Sequence, residues 1–195
     1  MYEKQMQVTD KVMSILSDNN VKFKVAGGAP RDWYLGNTAK DVDIFYEKSS
    51  VKYDFKNYGF THCFTTNEGY CLNKMLKKEL SAKEFDEIIP GGDYNLNPNV
   101  NAVYDTIIDG VNFQFIEVFE LDNLIKNFSH SISMIEYSGN EGFKPSKLFI
   151  ASLWNKVIIE TGEVYSNGES YKQRLQQKFP DYKFINKHEA FDLLL

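Results

Sequence analysis

Two short stretches carry residue types suited to phosphate chemistry: Gly27-Gly28-Ala29-Pro30-Arg31-Asp32 and Lys40-Asp41-Val42-Asp43-Ile44. A glycine pair between a strand and a helix lets backbone N–H groups approach a bulky anion. Asp41 and Asp43 are two residues apart, so on a strand they point the same way, roughly 7 Å apart at the backbone. Two carboxylates on one face repel each other unless a cation or solvent intervenes. Mg²⁺ takes such oxygen ligands, completing its shell with water and phosphate. Two such ions can activate an attacking oxygen and stabilise a leaving pyrophosphate. Each half is a weak signal alone: turns carry glycine for steric reasons, and Asp-x-Asp also occurs on solvated strand faces. Together they predict a nucleoside triphosphate (NTP) held at one end and metal ions at the other. Neither a dinucleotide fingerprint nor a P-loop is present.

The elements around these residues must position them. Val21 to Val25 alternates apolar and polar and predicts a half-buried strand running into the glycine pair. Arg31 to Gly36 predicts a short helix, with Pro30 at its first position. Asp41 to Tyr46 is the next strand, with Asp41, Asp43 and Phe45 on one face. Val8 to Leu16 has helical spacing ahead of them. Beyond lie a helix over Tyr53–Tyr58, a strand over Thr61–Phe64, a charged helix over Lys74–Phe85, and turns at Pro90–Asp93 and Asn95–Pro98. Asn101–Ile108 and Val111–Phe119 alternate around Asp109-Gly110, a strong hairpin signal. Helices are expected over Leu121–Asn127, Pro145–Glu160 and Tyr171–Phe179, a strand or helix start over Ile132–Tyr137, and a last turn over Ala190–Leu195. The fold class is α+β (α/β): a mixed sheet flanked by helices, with a short helical C-terminal part. The expected division is a catalytic-type domain over 1–140 and a helical extension over 141–195.

Composition narrows the function classes. A chain of 195 residues, 43% hydrophobic and 15% aromatic, supports a packed core. A net charge of −5 argues against coating nucleic acid through the overall field. Local basic clusters remain at Lys74, Lys77 and Lys78, and at Lys172, Arg174 and Lys178. Cys63 and Cys71 read as reduced thiols; with His62, His130 and His188 they make neither a disulfide framework nor zinc spacing. No signal peptide or membrane span is expected, so the reading is a soluble, cytoplasmic protein.

The glycine pair, followed after twelve intervening residues by Asp-Val-Asp-Ile, resembles the signature of the DNA polymerase β-like nucleotidyltransferase superfamily. More narrowly, residues 27–36 with Lys40-Asp41-Val42-Asp43 look like the head domain of CCA-adding enzymes and poly(A) polymerases, and most like short bacteriophage-type nucleotidyltransferases. The resemblance implies that Gly27 and Gly28 meet the triphosphate, Arg31 contacts phosphate or ribose, and Asp41 and Asp43 hold two Mg²⁺. It also implies a third carboxylate on a later strand. Glu117, in Ile116-Glu117-Val118, is the candidate, to complete the metal site or act as general base. Gln114 competes from the opposite face, since Phe113-Gln114-Phe115-Ile116 is similar to the short phage-type proteins. One residue of register decides between them.

Phe128 to Tyr137 is similar to the segment where CCA-adding enzymes have Arg-Asp-Phe-Thr-Ile-Asn-Ala, with Ser129 for the Asp and Ser133 for the Asn. His130 there reads as a polar core or rim residue. Under sixty residues follow Tyr137, where those enzymes carry the long helical regions that select nucleotide and bind tRNA. The implied function is a minimal Mg²⁺-dependent nucleotidyltransferase. Its first acceptor is an RNA or tRNA 3′ end; a protein or small molecule is second. The alternative is a protein that keeps the fold without the chemistry, sequestering a nucleotide or antagonising a host enzyme.

Overall fold

A computed structural model describes residues 1–50, 72, 75–77, 80–81, 86–88, 99–162 and 168–190. The elements expected over 53–58 and 61–64, most of 74–85, both turns within 90–98, His62, Cys63, Cys71 and the last turn beyond 190 lie outside these residues. Among the described residues, no helix is long and apolar enough to cross a membrane.

Helix α1 (Tyr2–Asp18) precedes β1 (Phe23–Ala26), α2 (Gly28–Tyr34) and β2 (Val42–Glu47). Strands β3 (Asp86–Ile88), β4 (Val100–Ile108), β5 (Val111–Val118), β6 (Ile135–Tyr137) and β7 (Phe143–Pro145) complete a seven-stranded sheet in the order β3-β4-β5-β2-β1-β6-β7. Only β2 and β5 run parallel; every other neighbouring pair is antiparallel. This is the mixed sheet that the sequence predicts. It extends past residue 140, because β7 pairs with β6.

Alternation sorts the strands into two faces. Val42, Ile44 and Tyr46 of β2 join Phe113, Phe115 and Tyr104 in the larger core, under α1 and α2. In α1, Val8, Val12, Ile15 and Leu16 are buried at helical spacing. Gln5 is buried there with its amide making three hydrogen bonds. It donates to the Ala39 carbonyl at 2.9 Å and accepts from Trp33 Nε1 and the Ala39 N–H. These bonds fasten the loop between α2 and β2, the loop that delivers Asp41. The other face carries a smaller cluster of Ala26, Phe45, Val103, Ile116, Val118, Leu121 and Leu124.

The Asp109-Gly110 hairpin forms as expected, with positive φ at both residues (49° and 79°), as a type I′ turn requires. Two segments differ from expectation. Leu121–Asn127 yields only a 3₁₀ turn, Leu124–Asn127. The long helix expected over Pro145–Glu160 stops early: α3 spans Lys147–Asn155, capped at its start by Ser146 Oγ accepting from the Phe149 N–H. Lys156 then turns left-handed (φ 51°), and Val157–Glu160 continues as β8. The β-branched Val-Ile-Ile run favours a strand once the helix is closed. Helix α4 (Gly168–Lys178) crosses over to β9 (Lys183–Asn186), which pairs parallel with β8. The C-terminal part thus carries its helices and adds a small parallel sheet.

Candidate active site

The glycine turn begins where β1 ends. Gly27 has φ 92°, and its N–H donates to the Ile135 carbonyl at 3.1 Å, so the turn is tied to β6. Helix α2 starts at Gly28, earlier than expected, which leaves Pro30 still in the first turn where an N–H has no helical partner. A Cβ built on Gly27 would lie 3.6 Å from Asp43 Oδ2 and 3.6 Å from the Phe128 ring. The bare backbone of Gly27 therefore faces the Asp43 carboxylate directly.

Asp43 lies inside β2, and Asp41 lies just before the strand. Asp41 is part-exposed, with Lys40 Nζ 3.7 Å from its carboxylate. Across the parallel pair, Asp43 is in register with Gln114 of β5. Across the next pair, Gln114 is in register with Asp105 of β4, and Gln114 Nε2 donates to Asp105 Oδ1 at 2.9 Å. Register partners in a sheet share a face, so Asp43, Gln114 and Asp105 form one row across three strands, each strand about 4.8 Å from the next. The row lies on the face of the smaller core, away from α1 and α2.

Glu117 is not in that row. The structure corrects its expected place beside Asp41 and Asp43: its register partners are Tyr46 and Ala102, on the opposite, helix-covered face. It is fully buried there. Its carboxylate accepts from the Tyr46 hydroxyl at 2.9 Å and from the Asn101 amide, with Lys48 Nζ 3.7 Å away. Asn101 reaches it from an irregularity in β4 between Val100 and Ala102, as a bulge re-aims a side chain. These donors offset the cost of burying the carboxylate.

Arg31 is buried at the base of the turn. Its Nε donates to Asp32 at 2.9 Å and its Nη1 to Ser133 Oγ at 3.4 Å, while Phe179 packs against the guanidinium at 5.6 Å. A Cβ on Gly28 would lie 3.6 Å from Arg31 Nη2, so one edge of the guanidinium borders the glycine turn. Burial pulls its pKa down, but Tyr171 and Asp32 outweigh this and hold it above the ordinary arginine range. Asp32 also ion-pairs with Lys178, and Ser133 Oγ lies 2.7 Å from the Tyr171 hydroxyl. Helix α4 is thereby locked to α2. Ser133, the departure from the expected Asn, belongs to this lock. His130 is fully buried, with Nδ1 2.8 Å from Ser129 Oγ, and sits edge-on to Tyr171. It is a core residue, as its sequence context suggests.

Sequence reasoning passed over Asp105 and Asn101. A signal for Asp105 did exist. Counting back along both arms from the two-residue Asp109-Gly110 turn places Asp105 opposite Gln114. Asn101 had none, because a bulge is not a local pattern.

Among the described residues, no group of three or more His, Cys, Asp or Glu side chains is placed to hold a metal ion. The donors that are present, two carboxylates and an amide beside a glycine backbone, offer only hard oxygens to a cation, the chemistry Mg²⁺ prefers.

Solved nucleotidyltransferase structures share this fold. A CCA-adding enzyme in complex with ATP matches it with a TM-score of 0.62 at 15% identity, over 98% of this chain and 41% of that one. The Thermotoga maritima CCA-adding enzyme complexed with tRNA matches with a TM-score of 0.58 at 14% identity, over 94% and 39%. A tRNA nucleotidyltransferase with a primer tRNA and an incoming ATP analogue matches with a TM-score of 0.55 at 16% identity, over 94% and 48%. This chain therefore spans less than half the length of these enzymes, and at such identities the likeness is one of fold. No protein-family profile matches the chain, and no curated protein sequence does.

Proposed function

We propose that this protein transfers a nucleoside monophosphate from an NTP to an acceptor hydroxyl, releasing pyrophosphate. The observation that carries the reading is the apposition of Gly27 and Asp43 within a nucleotidyltransferase head. Backbone at Gly27 and Gly28 would take the triphosphate where a side chain would block it. Arg31 would meet phosphate or ribose through its edge beside Gly28, held in place by Asp32 and Ser133. Asp41 and Asp43 would hold two Mg²⁺, which when bound neutralise the triphosphate and lower the cost of deprotonating the acceptor. Phe128, against the glycine turn, would wall one side of the site.

An RNA 3′ end is the first acceptor, in keeping with the tRNA in two of the matched structures. A protein or small-molecule hydroxyl is second. Two of the three basic residues on α4 favour the second choice: Lys172 pairs with Glu160 and Lys178 with Asp32, so neither offers an unengaged charge to a phosphate backbone. Purified protein incubated with Mg²⁺, each of four labelled NTPs and total RNA tests the proposal. Label is expected on RNA or, failing that, on protein; label on neither with any NTP sinks it.

A second reading keeps the fold as a nucleotide-binding protein without turnover. The placement of Glu117 on the far face, leaving two carboxylates at the site, favours it. Nucleotide binding that survives Asp43→Ala, in a protein with no transfer activity, would select this reading.

A further inference from the structure

We infer that Asp105 is a positioning residue: it turns the Gln114 carboxamide so that Gln114 Oε1 becomes the third oxygen donor, after Asp41 and Asp43, for a divalent cation. The inference rests on the proposed function and concerns the same site.

Gln114 stands between two acids in the cross-strand row, with Asp43 on one side and Asp105 on the other. A carboxylate can only accept hydrogen bonds, whereas a carboxamide has one accepting end and one donating end. Asp105 therefore requires the NH₂ end, and Gln114 Nε2 indeed lies 2.9 Å from Asp105 Oδ1. The reverse orientation would set two acceptor oxygens against each other. Nitrogen and oxygen diverge from the same carbon, so fixing nitrogen toward β4 directs oxygen away from β4, to the side where β2 carries Asp43.

The consequence is a site of two carboxylates and one neutral oxygen. It accounts for the lack of a three-acid group among the described residues without moving Glu117 through the sheet. Amide oxygens are ordinary ligands of hard cations, weaker than carboxylates because they carry no formal charge. Asp105 would not touch the cation. Its carboxylate acts through the Gln114 amide, as outer partners orient metal ligands elsewhere.

Mn²⁺ binding, measured by calorimetry and by the electron paramagnetic resonance of free Mn²⁺, with and without a non-hydrolysable NTP analogue, tests this. Gln114→Leu is expected to weaken Mn²⁺ binding by about 10-fold or more, and Asp105→Ala by a similar factor, in line with the loss of partners that orient a ligand. The exchange Asp105→Asn with Gln114→Glu keeps the cross-strand hydrogen bond with donor and acceptor reversed and places a carboxylate beside Asp43. It is expected to bind Mn²⁺ at least as tightly as wild type, because both the cross-strand bond and an oxygen beside Asp43 are kept. Wild-type affinity in both single variants, or weakened binding in a folded exchange variant, overturns the inference while the proposed function stands. Absence of Mn²⁺ binding in wild type, with and without the analogue, overturns both.

Discussion

Gly27 and Asp43 face each other across the start of the sheet: a methyl group on Gly27 would rest 3.6 Å from Asp43 Oδ2. That distance is ordinary contact, so space alone does not demand glycine. The backbone does, because φ at Gly27 is 92°, where a side chain is strained. Gly27→Ala is therefore expected to cost about 1–3 kcal/mol, a fall of about 2–4 °C in Tm per kcal/mol for a chain of this size. A methyl pressed toward the phosphate position should also weaken NTP binding beyond what the stability loss explains. Thermal melts and nucleotide titration of the variant at a temperature where it is fully folded check both parts.

Asp43 and Glu117 should separate cleanly when substituted. Asp43→Asn, a near-isosteric change, is expected to abolish transfer and leave Tm nearly unchanged, since it removes one of the two carboxylates proposed to hold Mg²⁺. Glu117→Gln is expected to retain transfer and lose about 1–3 kcal/mol, the range for disturbing a buried charge-assisted hydrogen-bond set. Paired measurements of kcat and Tm decide; the opposite pattern would return Glu117 to the chemistry.

The lock between α2 and α4 gives a third test. Asp32 accepts from buried Arg31 and also meets Lys178. Asp32→Asn leaves the Arg31 charge buried without its counter-ion, a change expected to cost about 3–5 kcal/mol. Lys178→Ala removes a part-exposed partner and should cost about 1 kcal/mol or less. Urea denaturation of the two variants, read from midpoints at a common slope, orders them.

His130 predicts a pH effect. Burial holds its pKa below the ordinary histidine value; Glu160 opposes this and Lys172 reinforces it. The other groups around the ring are Ser129, Tyr171 and Phe184. With the folded pKa depressed, the unfolded chain binds the extra proton first, so stability rises with pH in this window. The contribution is complete above about pH 6.5 and is lost as pH falls toward the folded value. Tm measured from pH 7.5 down to 5.5 should decline in wild type and decline less in His130→Phe. Equal slopes would remove His130 from the account.

Much of the site was legible because its signals are local. The glycine pair, the strand that carries Asp43 and the Asp109-Gly110 turn each depend on residues within a few positions of one another, and each forms where the sequence predicts, although the strand begins at Val42 and leaves Asp41 just before it. The segment Pro145–Glu160 shows where local reading fails: helical spacing runs through it, yet Lys156 turns left-handed and Val157–Glu160 is claimed by pairing with β9, more than twenty residues on. Glu117 failed for a related reason. Its strand was correctly predicted, but strand alternation offers two faces and does not say which one meets β2 beside Asp43.

By itself the sequence determined the chemistry available: a glycine turn, two alternating carboxylates, an all-oxygen donor set and a core able to hold them. Only the tertiary structure decided which side chain stands beside Asp43. The parallel register of β2 on β5 puts Gln114, not Glu117, beside Asp43, and the antiparallel register of β4 on β5 puts Asp105 behind Gln114. Side chains on a strand alternate with a period of two, so a choice of face rests on a register between distant segments, and that register is set by how both faces pack.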